Sequence, residues 1–395
     1  MTRGRAVDAL WAHHHGMFSD ARQIVSQWED AARVDPAWLR YRTRGRWWET
    51  LAETDATLLV SREYEHLVMA FSLRRGRPEV SYLRLPHPSG IAVDRRRHVV
   101  HIASTRNPNQ IYDFVPATGA LPRRDVKVSA IRGRPLLPVR SRFFPGSFYV
   151  HDLALIGGRL HAAAVGQNAI VRLDDRGGGI PVWWPRCAER RGRPLLQQNH
   201  IQLNAIAAGR SLGTSYFSAS ASAVSRLRPG HPRFPVDHRG VIFSGATREP
   251  VVRGLTRPHS ARLHERRIWV NNSGYGELGV GEGGAFRPVA RLPGWTRGLC
   301  FRGAVAFVGT SRVIPRFRAY APGLDVDACE CGVHAVDART GRVLGSLLFP
   351  LGNQIFAVEW VDRRMSGGFA FPADRSLDAA SLRQLFYAFT TADDR

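Results

Sequence analysis

Lysine is nearly missing from this chain: of 56 basic residues, Lys127 is the single lysine and the others are arginines. Both side chains bind phosphate, so a nucleic-acid surface by itself gives no reason to leave lysine out. Arginine, alanine and glycine in place of lysine and asparagine are what a GC-rich genome writes. The arginines are scattered through turns ("RRGRP", "DRRRH", "HERR"), with no single basic block and no RNA-binding aromatic signature. Nucleic acid is therefore not the expected partner. The net charge of +23 is real, and it favours anionic ligands or an acidic partner protein, such as a carrier protein.

Cysteine is also scarce. Cys187, Cys300, Cys329 and Cys331 are the four; the "CEC" pair is too close for an ordinary disulfide and no CxxC pair occurs. Reduced thiols are expected. No stretch approaches the roughly 18–20 uninterrupted apolar residues that cross a bilayer, so no membrane span is expected. The start, "MTRGRAVDALWAHHHGMFSD", is a poor secretory signal, and a cytoplasmic location follows as the expectation. There is no G-x-S-x-G, no H-E-x-x-H and no Walker sequence. The glycine-rich "NNSGYGELGVGEGG" (271–284) lies between strands with no helix after it, so no nucleotide cofactor is expected.

What is present is the composition of a folded protein: 395 residues, 44% hydrophobic and 10% aromatic. Residues 1–54 carry apolar positions at three- and four-residue intervals. They predict a helical N-terminal extension with a cap at Ser19 or Asp20 and a break at Asp35-Pro36. From residue 55 to 372 short β-branched and aromatic runs alternate with Gly, Pro, Asp and Arg turns. Residues 373–395, with "SLDAASLRQLFYAFTTADD", predict a C-terminal helix.

Six segments of the β region share one design: a polar residue opens an apolar run, a Gly/Arg turn follows, and a second run returns. They are "HPSGIAVDRRRHVVHIAS" (87–104), "VHDLALIGGRLHAAAVG" (150–166), "IQLNAIAAGRSLGTSYFS" (201–218), "PHSARLHERRIWVNNSG" (258–274), "GWTRGLCFRGAVAFVGTS" (294–311) and "NQIFAVEWVDRRMSGGFAF" (353–371). Their opening polar residues are Ser89, His151, Gln202, His259, Thr296 and Gln354. Repeats of roughly 40–60 residues with about four strands each mark an all-β fold, a six-bladed β-propeller. A sandwich pair or a barrel would also suit alternating strands and turns. In a propeller the residues that open the innermost strands gather at one mouth of the central channel.

The chain resembles a bacterial propeller-like family known as domain of unknown function 4915, over about residues 47–365. The resemblance is carried by "WWETLAETDATLLVSREYEHLVM", "HPSGIAV", "HDLALIGGRL", "RPHSARLHERRIWVNNSGYGELG", "FRPVARLPGWTRGLCFRGAVAFVGTSR" and "CGVHAVDARTGRVL". Two pieces depart from the family pattern. "AAAVGQNAIVRL" lacks the expected Asn-Thr-Arg-Phe-Ser-Cys run, and "QNHIQLNAIA" has its histidine displaced by two residues, which marks a divergent member. The resemblance implies a fold and no reaction.

Histidines are the sharpest chemical signal. His151 and His259 open equivalent strands, while His200 and His87 precede two others. Converging imidazoles would make a site for zinc, copper or iron, or acid/base groups. The nearest carboxylates, Asp152 and Glu359, are too few for calcium, which wants about six to eight oxygens. The bland alternative is that each histidine bonds a neighbouring blade's backbone. His13 to His15 form a second, adventitious cluster. Around the same mouth the reading places Gln202, Asn204, Trp295, Thr296, Arg297, Gln354 and Glu359, with Arg297 as an anchor for a substrate anion. Ser260 beside His259 makes no triad, since adjacent residues on a strand point to opposite faces. The expected function is an enzyme of bacterial specialised metabolism acting on a small molecule or peptide, catalysed by His151, His259, Arg297 and Glu359. The alternative is a non-catalytic propeller that docks an acidic partner.

Overall fold

A computed structural model describes residues 34–105, 109–120, 133–196, 198–373 and 389–392. They build six antiparallel sheets arranged as the blades of a propeller. From the innermost strand outward, blade 2 is Pro88–Asp94, Val99–Ser104, Asn109–Pro116 and Leu136–Phe144. Blade 3 is Val150–Ile156, Arg159–Ala164, Ala169–Leu173 and Gly179–Trp183. Blade 4 is Leu203–Ala207, Tyr216–Ala219, Gly240–Ser244 and Pro250–Leu255. Blade 5 is Pro258–His264, Arg267–Asn272, Glu277–Glu282 and Ala285–Arg291, and blade 6 is Trp295–Arg302, Val305–Ser311, Gly332–Asp337 and Val343–Leu348.

Inner strands have a neighbouring blade on each face, so they read as apolar runs. Leu203–Ala207, for example, is buried at every position. Outer strands alternate toward solvent, as in Ala285–Arg291. The "DARTG" turn joins the third and fourth strands of blade 6. There the Asp337 carboxylate accepts the backbone N–H groups of Arg339 and Thr340 at 2.9 and 3.0 Å, an Asx turn.

Blade 1 departs from the repeat seen in the sequence. Its innermost strand is Ala357–Asp362, which pairs with Ala56–Arg62 from the other end of the chain, followed by Leu67–Arg74 and Arg77–Arg84. The second half of the sixth sequence segment is therefore not a returning hairpin. Phe371–Pro372 adds instead to the outer edge of the same blade, beside Arg77–Arg84. Closing the ring with strands from both ends of the sequence leaves no blade interface open, and burial of those edges favours this pairing over a local hairpin.

The predicted helical extension is also modified. Short helices at Pro36–Leu39 and Trp47–Glu53 flank a strand, Arg42–Gly45, that pairs as a fifth strand on Val343–Leu348 of blade 6. Trp47 packs edge-on against Phe307, centroids 5.9 Å apart, so this segment is part of the propeller's core. Asp35 caps the first helix by accepting the Ala37 N–H at 2.9 Å. At the other end, Phe389–Thr390 is a strand paired with Gly119–Ala120, where the sequence predicts helix. The Ser19/Asp20 cap, His13 to His15 and most of the predicted C-terminal helix lie outside the described residues.

Blades are locked to one another by polar side chains at one end of the ring. Ser61 donates to the Ser89 carbonyl at 2.8 Å, Asn204 to the Pro258 carbonyl at 2.8 Å, Asn271 to the Gly298 carbonyl at 3.2 Å and Ser311 to the Ile355 carbonyl at 3.1 Å. Each side chain satisfies a carbonyl that its own ladder leaves free. The ring has two ends. Inner strands open at the mouth formed by the interblade connections and the second-to-third strand loops. They turn back at the opposite, far face.

Candidate functional site

Four residues stand just before an inner strand with left-handed backbone: His87, Tyr149, Gln202 and Arg257, φ 40°, 46°, 53° and 52°. A few residues on, five of the six inner strands shift register, between Pro88 and Ile91, Val150 and Asp152, Leu203 and Ala205, His259 and Arg262, and Thr296 and Leu299. Bulges at a barrel rim re-aim side chains. Here they turn His151, His259 and Arg297 into the top of the channel.

His151 and His259 meet there, ring centroids 5.1 Å apart, and both rest on the Phe356 ring at 4.7 and 5.4 Å. Arg297 lies over the same ring at 4.3 Å, and its guanidinium donates to His259 Nε2 at 3.0 Å. Since a guanidinium only donates, Nε2 is the acceptor and the proton of His259 sits on Nδ1, donated to Ser260 Oγ at 2.8 Å. That hydroxyl also accepts the Gly298 N–H at 2.9 Å. The serine thus sits beside the histidine after all: φ 54° at Ser260 breaks the strand alternation behind the sequence expectation. The pair is still no nucleophilic triad, because the imidazole donates to the serine and its acceptor nitrogen is taken by Arg297.

Burial, then the Arg297 charge, hold both histidines well below their ordinary pKa, so both are neutral at pH 7. Among the described residues His151 Nδ1 has no hydrogen-bond partner. Arg297 is itself depressed by burial, an effect countered first by Glu63. Gln354 bridges the two: with its amide oriented to satisfy both ends, it donates to Glu63 at 3.1 Å and accepts from Arg297.

A second buried arginine completes the cluster. Arg257 donates to the side-chain amide oxygen of Gln202 and lies 3.7 Å from the Tyr320 ring centroid. Burial pushes its pKa down to about 10, with Arg297 adding repulsion. The Nε atoms of Arg257 and Arg297 are buried without partners among the described residues. Tyr320 belongs to the 3₁₀ turn Pro315–Tyr320 in the long loop between the second and third strands of blade 6. With Phe317, 5.1 Å from Trp295, this segment roofs the mouth over a small apolar cluster of Trp295, Val313, Ala321 and Cys329. Two surface hollows, of about 220 and 290 Å³, are lined by none of these residues.

The structure thus brings His151, His259, Arg297, Gln202 and Gln354 into one cluster. Asn204 and Thr296 are buried in blade-to-blade bonds: Asn204 spans to Pro258, and the Thr296 carbonyl accepts from Ser273 at 2.6 Å. Trp295 packs beneath the roof. Glu359 sits further down its strand and binds Arg95 at 3.1 Å toward the far face. Asp152 spans three blades through Arg262 at 2.8 Å and the Ile206 N–H at 3.0 Å. His87 does not join the pair at the channel top; it meets His66 edge-on at 4.3 Å, and the His200 backbone binds Asn168. Among the described residues no three His, Cys, Asp or Glu side chains gather as a metal set.

Arg257, Glu63 and Tyr320 are members that sequence reasoning missed. Arg257 had a readable signal: "RPHS" has the same X-Pro opening as "HPSG", which puts Arg257 in register with His87. Glu63 and Tyr320 sit on loops with no repeat to index them.

The architecture and the polar, roofed channel mouth define a six-bladed propeller with a buried basic site. The chain belongs to the family described as domain of unknown function (DUF4915), whose model matches residues 45–367. No curated protein matches its sequence. Among solved structures it is similar to the nidogen/laminin complex, at TM-score 0.50 and 10% identity over 78% of this chain and 99% of that one. A protein of unknown function from Bacteroides caccae gives TM-score 0.49 and 10% identity over 78% and 98%. The periplasmic gluconolactonase of Pseudomonas aeruginosa gives TM-score 0.46 and 13% identity over 78% and 99%. At such identities the likeness is one of fold.

Proposed function

We propose that this chain is a propeller enzyme that acts on a small anionic molecule held at the roofed channel mouth. Arg257 and Arg297 bind the anionic group, and neutral His151 accepts a proton through Nδ1. The observation that carries the reading is the charge balance of the buried cluster. Two arginines stand beside two neutral imidazoles, and Glu63 is the carboxylate that offsets Arg297. A buried cation costs several kcal/mol unless it is paired, so such a cluster suits an anion. A transition metal is less well served, since His259 has both nitrogens engaged and a guanidinium beside it. Access requires the Pro315–Tyr320 roof to move, as lids over catalytic sites do.

The test is a thermal-shift and calorimetric panel of small carboxylates, phosphates and sulfates, followed by mass-spectrometric turnover assays on the binders. The reading expects a binder that Arg297→Gln no longer holds, and a turnover that His151→Asn abolishes while binding persists. No binder in the panel, or binding indifferent to Arg297→Gln, would overturn it. A stoichiometric metal in chelator-free protein, lost in both His151→Ala and His259→Ala, would replace the anion with a metal centre.

A further inference from the structure

The far face of the propeller carries a pattern that the channel-mouth site does not use. An arginine stands in, or at the edge of, each of the six turns that lead out of an innermost strand. The six are Arg97 in blade 2, Arg159 in blade 3, Arg210 in blade 4, Arg266 in blade 5, Arg302 in blade 6 and Arg363 in blade 1. In the sequence these look like arginines scattered through turns. The fold gathers them into one ring.

Contacts at this end join four of the six neighbouring pairs of blades. An added Cβ on Gly157 of blade 3 would lie 3.2 Å from the Arg210 carbonyl of blade 4. His264 of blade 5 stacks on Phe301 of blade 6 at 4.2 Å. Arg302 of blade 6 binds Asp362 of blade 1 at 3.0 Å, and Arg95 of blade 2 reaches Glu359 of blade 1 at 3.1 Å. Arg97, Arg159, Arg210 and Arg266 are exposed and make no ion pair within the described structure.

We propose that this face is a docking surface for a protein segment rich in aspartate and glutamate. Charge complementarity selects an anion, and the ring's own chemistry selects carboxylates. Its members Arg302 and Arg363 already hold carboxylates of this chain, Asp362 at 3.0 Å and Asp55 at 2.7 Å. The guanidinium fork matches a carboxylate bidentately. A disc of arginines around a channel gives no groove to track a phosphate backbone. The aromatic residues beside it are already covered, Trp360 by Arg95 and Arg302 at 3.9 and 4.2 Å and Phe301 by His264, and offer no base-stacking platform. Steering by such a face acts mainly on the association rate and fades as salt rises.

The experiment measures fluorescence anisotropy of labelled poly-L-glutamate, and of a short random-sequence DNA duplex, against the full chain at physiological ionic strength. One variant combines Arg97→Gln, Arg159→Gln, Arg210→Gln and Arg266→Gln. A charge-matched control combines Arg190→Gln, Arg191→Gln, Arg226→Gln and Arg228→Gln on exposed loops at the opposite end. Circular dichroism and melting confirm that each variant folds. The expected result is poly-glutamate binding that weakens about tenfold or more in the far-face variant and less than about twofold in the control. Equal weakening by the two variants, no poly-glutamate binding, or tighter binding of the duplex would each overturn the proposal.

Discussion

Arg257 shows at the scale of one residue how a ligand site differs from a structural one. It is 6% exposed, and among the described residues it has a glutamine and a tyrosine ring for company where a structural arginine would have a carboxylate. Lowering its pKa to about 10 means that the fold carries a charged group it does not favour, at a cost of about 3 kcal/mol. A residue kept for function at the expense of stability gives a specific outcome when replaced. Arg257→Met should unfold at higher urea concentration than the native chain, whereas a structural arginine would make the midpoint fall. His334 supplies one part of the pH dependence, beside His151 and His259, which burial also holds below their ordinary value. Buried between Thr310 and Ser346 at 2.9 and 2.8 Å, His334 falls from its ordinary 6.5 to about 4 through burial. Its unfolded form binds a proton first, so the native state keeps its full stability above pH 6.5 and loses it as pH falls from 6.5 toward 4. The loss over that window is about 3 kcal/mol. Urea unfolding at pH 7 and pH 4.5 should show a loss of at least this size, and His334→Asn should reduce that loss by about this amount.

At the scale of the element, the bulged openings of the inner strands turn a repeat into a site. Gly298 has φ 77°, and a Cβ there would come within 2.9 Å of the Val358 backbone nitrogen. Gly298→Ala should cost about 1–3 kcal/mol in chemical denaturation. It should also displace Arg297, seen as a changed His259 ring resonance. The same bulges explain which site residues were legible. His151 and His259 were, because they keep equivalent places in two repeats. Gln202 and Asn204 are two positions apart and share a repeat, but the register shift sends the first to Arg257 and the second into the blade interface. Glu359 reads as a neighbour of Gln354 along the chain. A strand rises about 3.3 Å per residue, and five residues carry Glu359 toward the opposite end of the channel.

At the scale of the whole molecule, the six copies of one hairpin design made the propeller readable, since each blade's pattern is local in sequence. Ring closure is not local: Ala357–Asp362 pairs with Ala56–Arg62 across nearly the whole chain, and no short-range pattern announces it. Nor does composition reveal how +23 is distributed. The fold buries two of the arginines at one mouth and sets six around the other. The central claim is that the roofed mouth is built to hold an anion. Anomalous diffraction from crystals soaked in bromide tests it most directly. The account predicts a bromide in contact with the guanidinium groups of Arg257 and Arg297, beside His151. Bromide confined to surface arginines, with water or a metal ion in its place at the mouth, would contradict it.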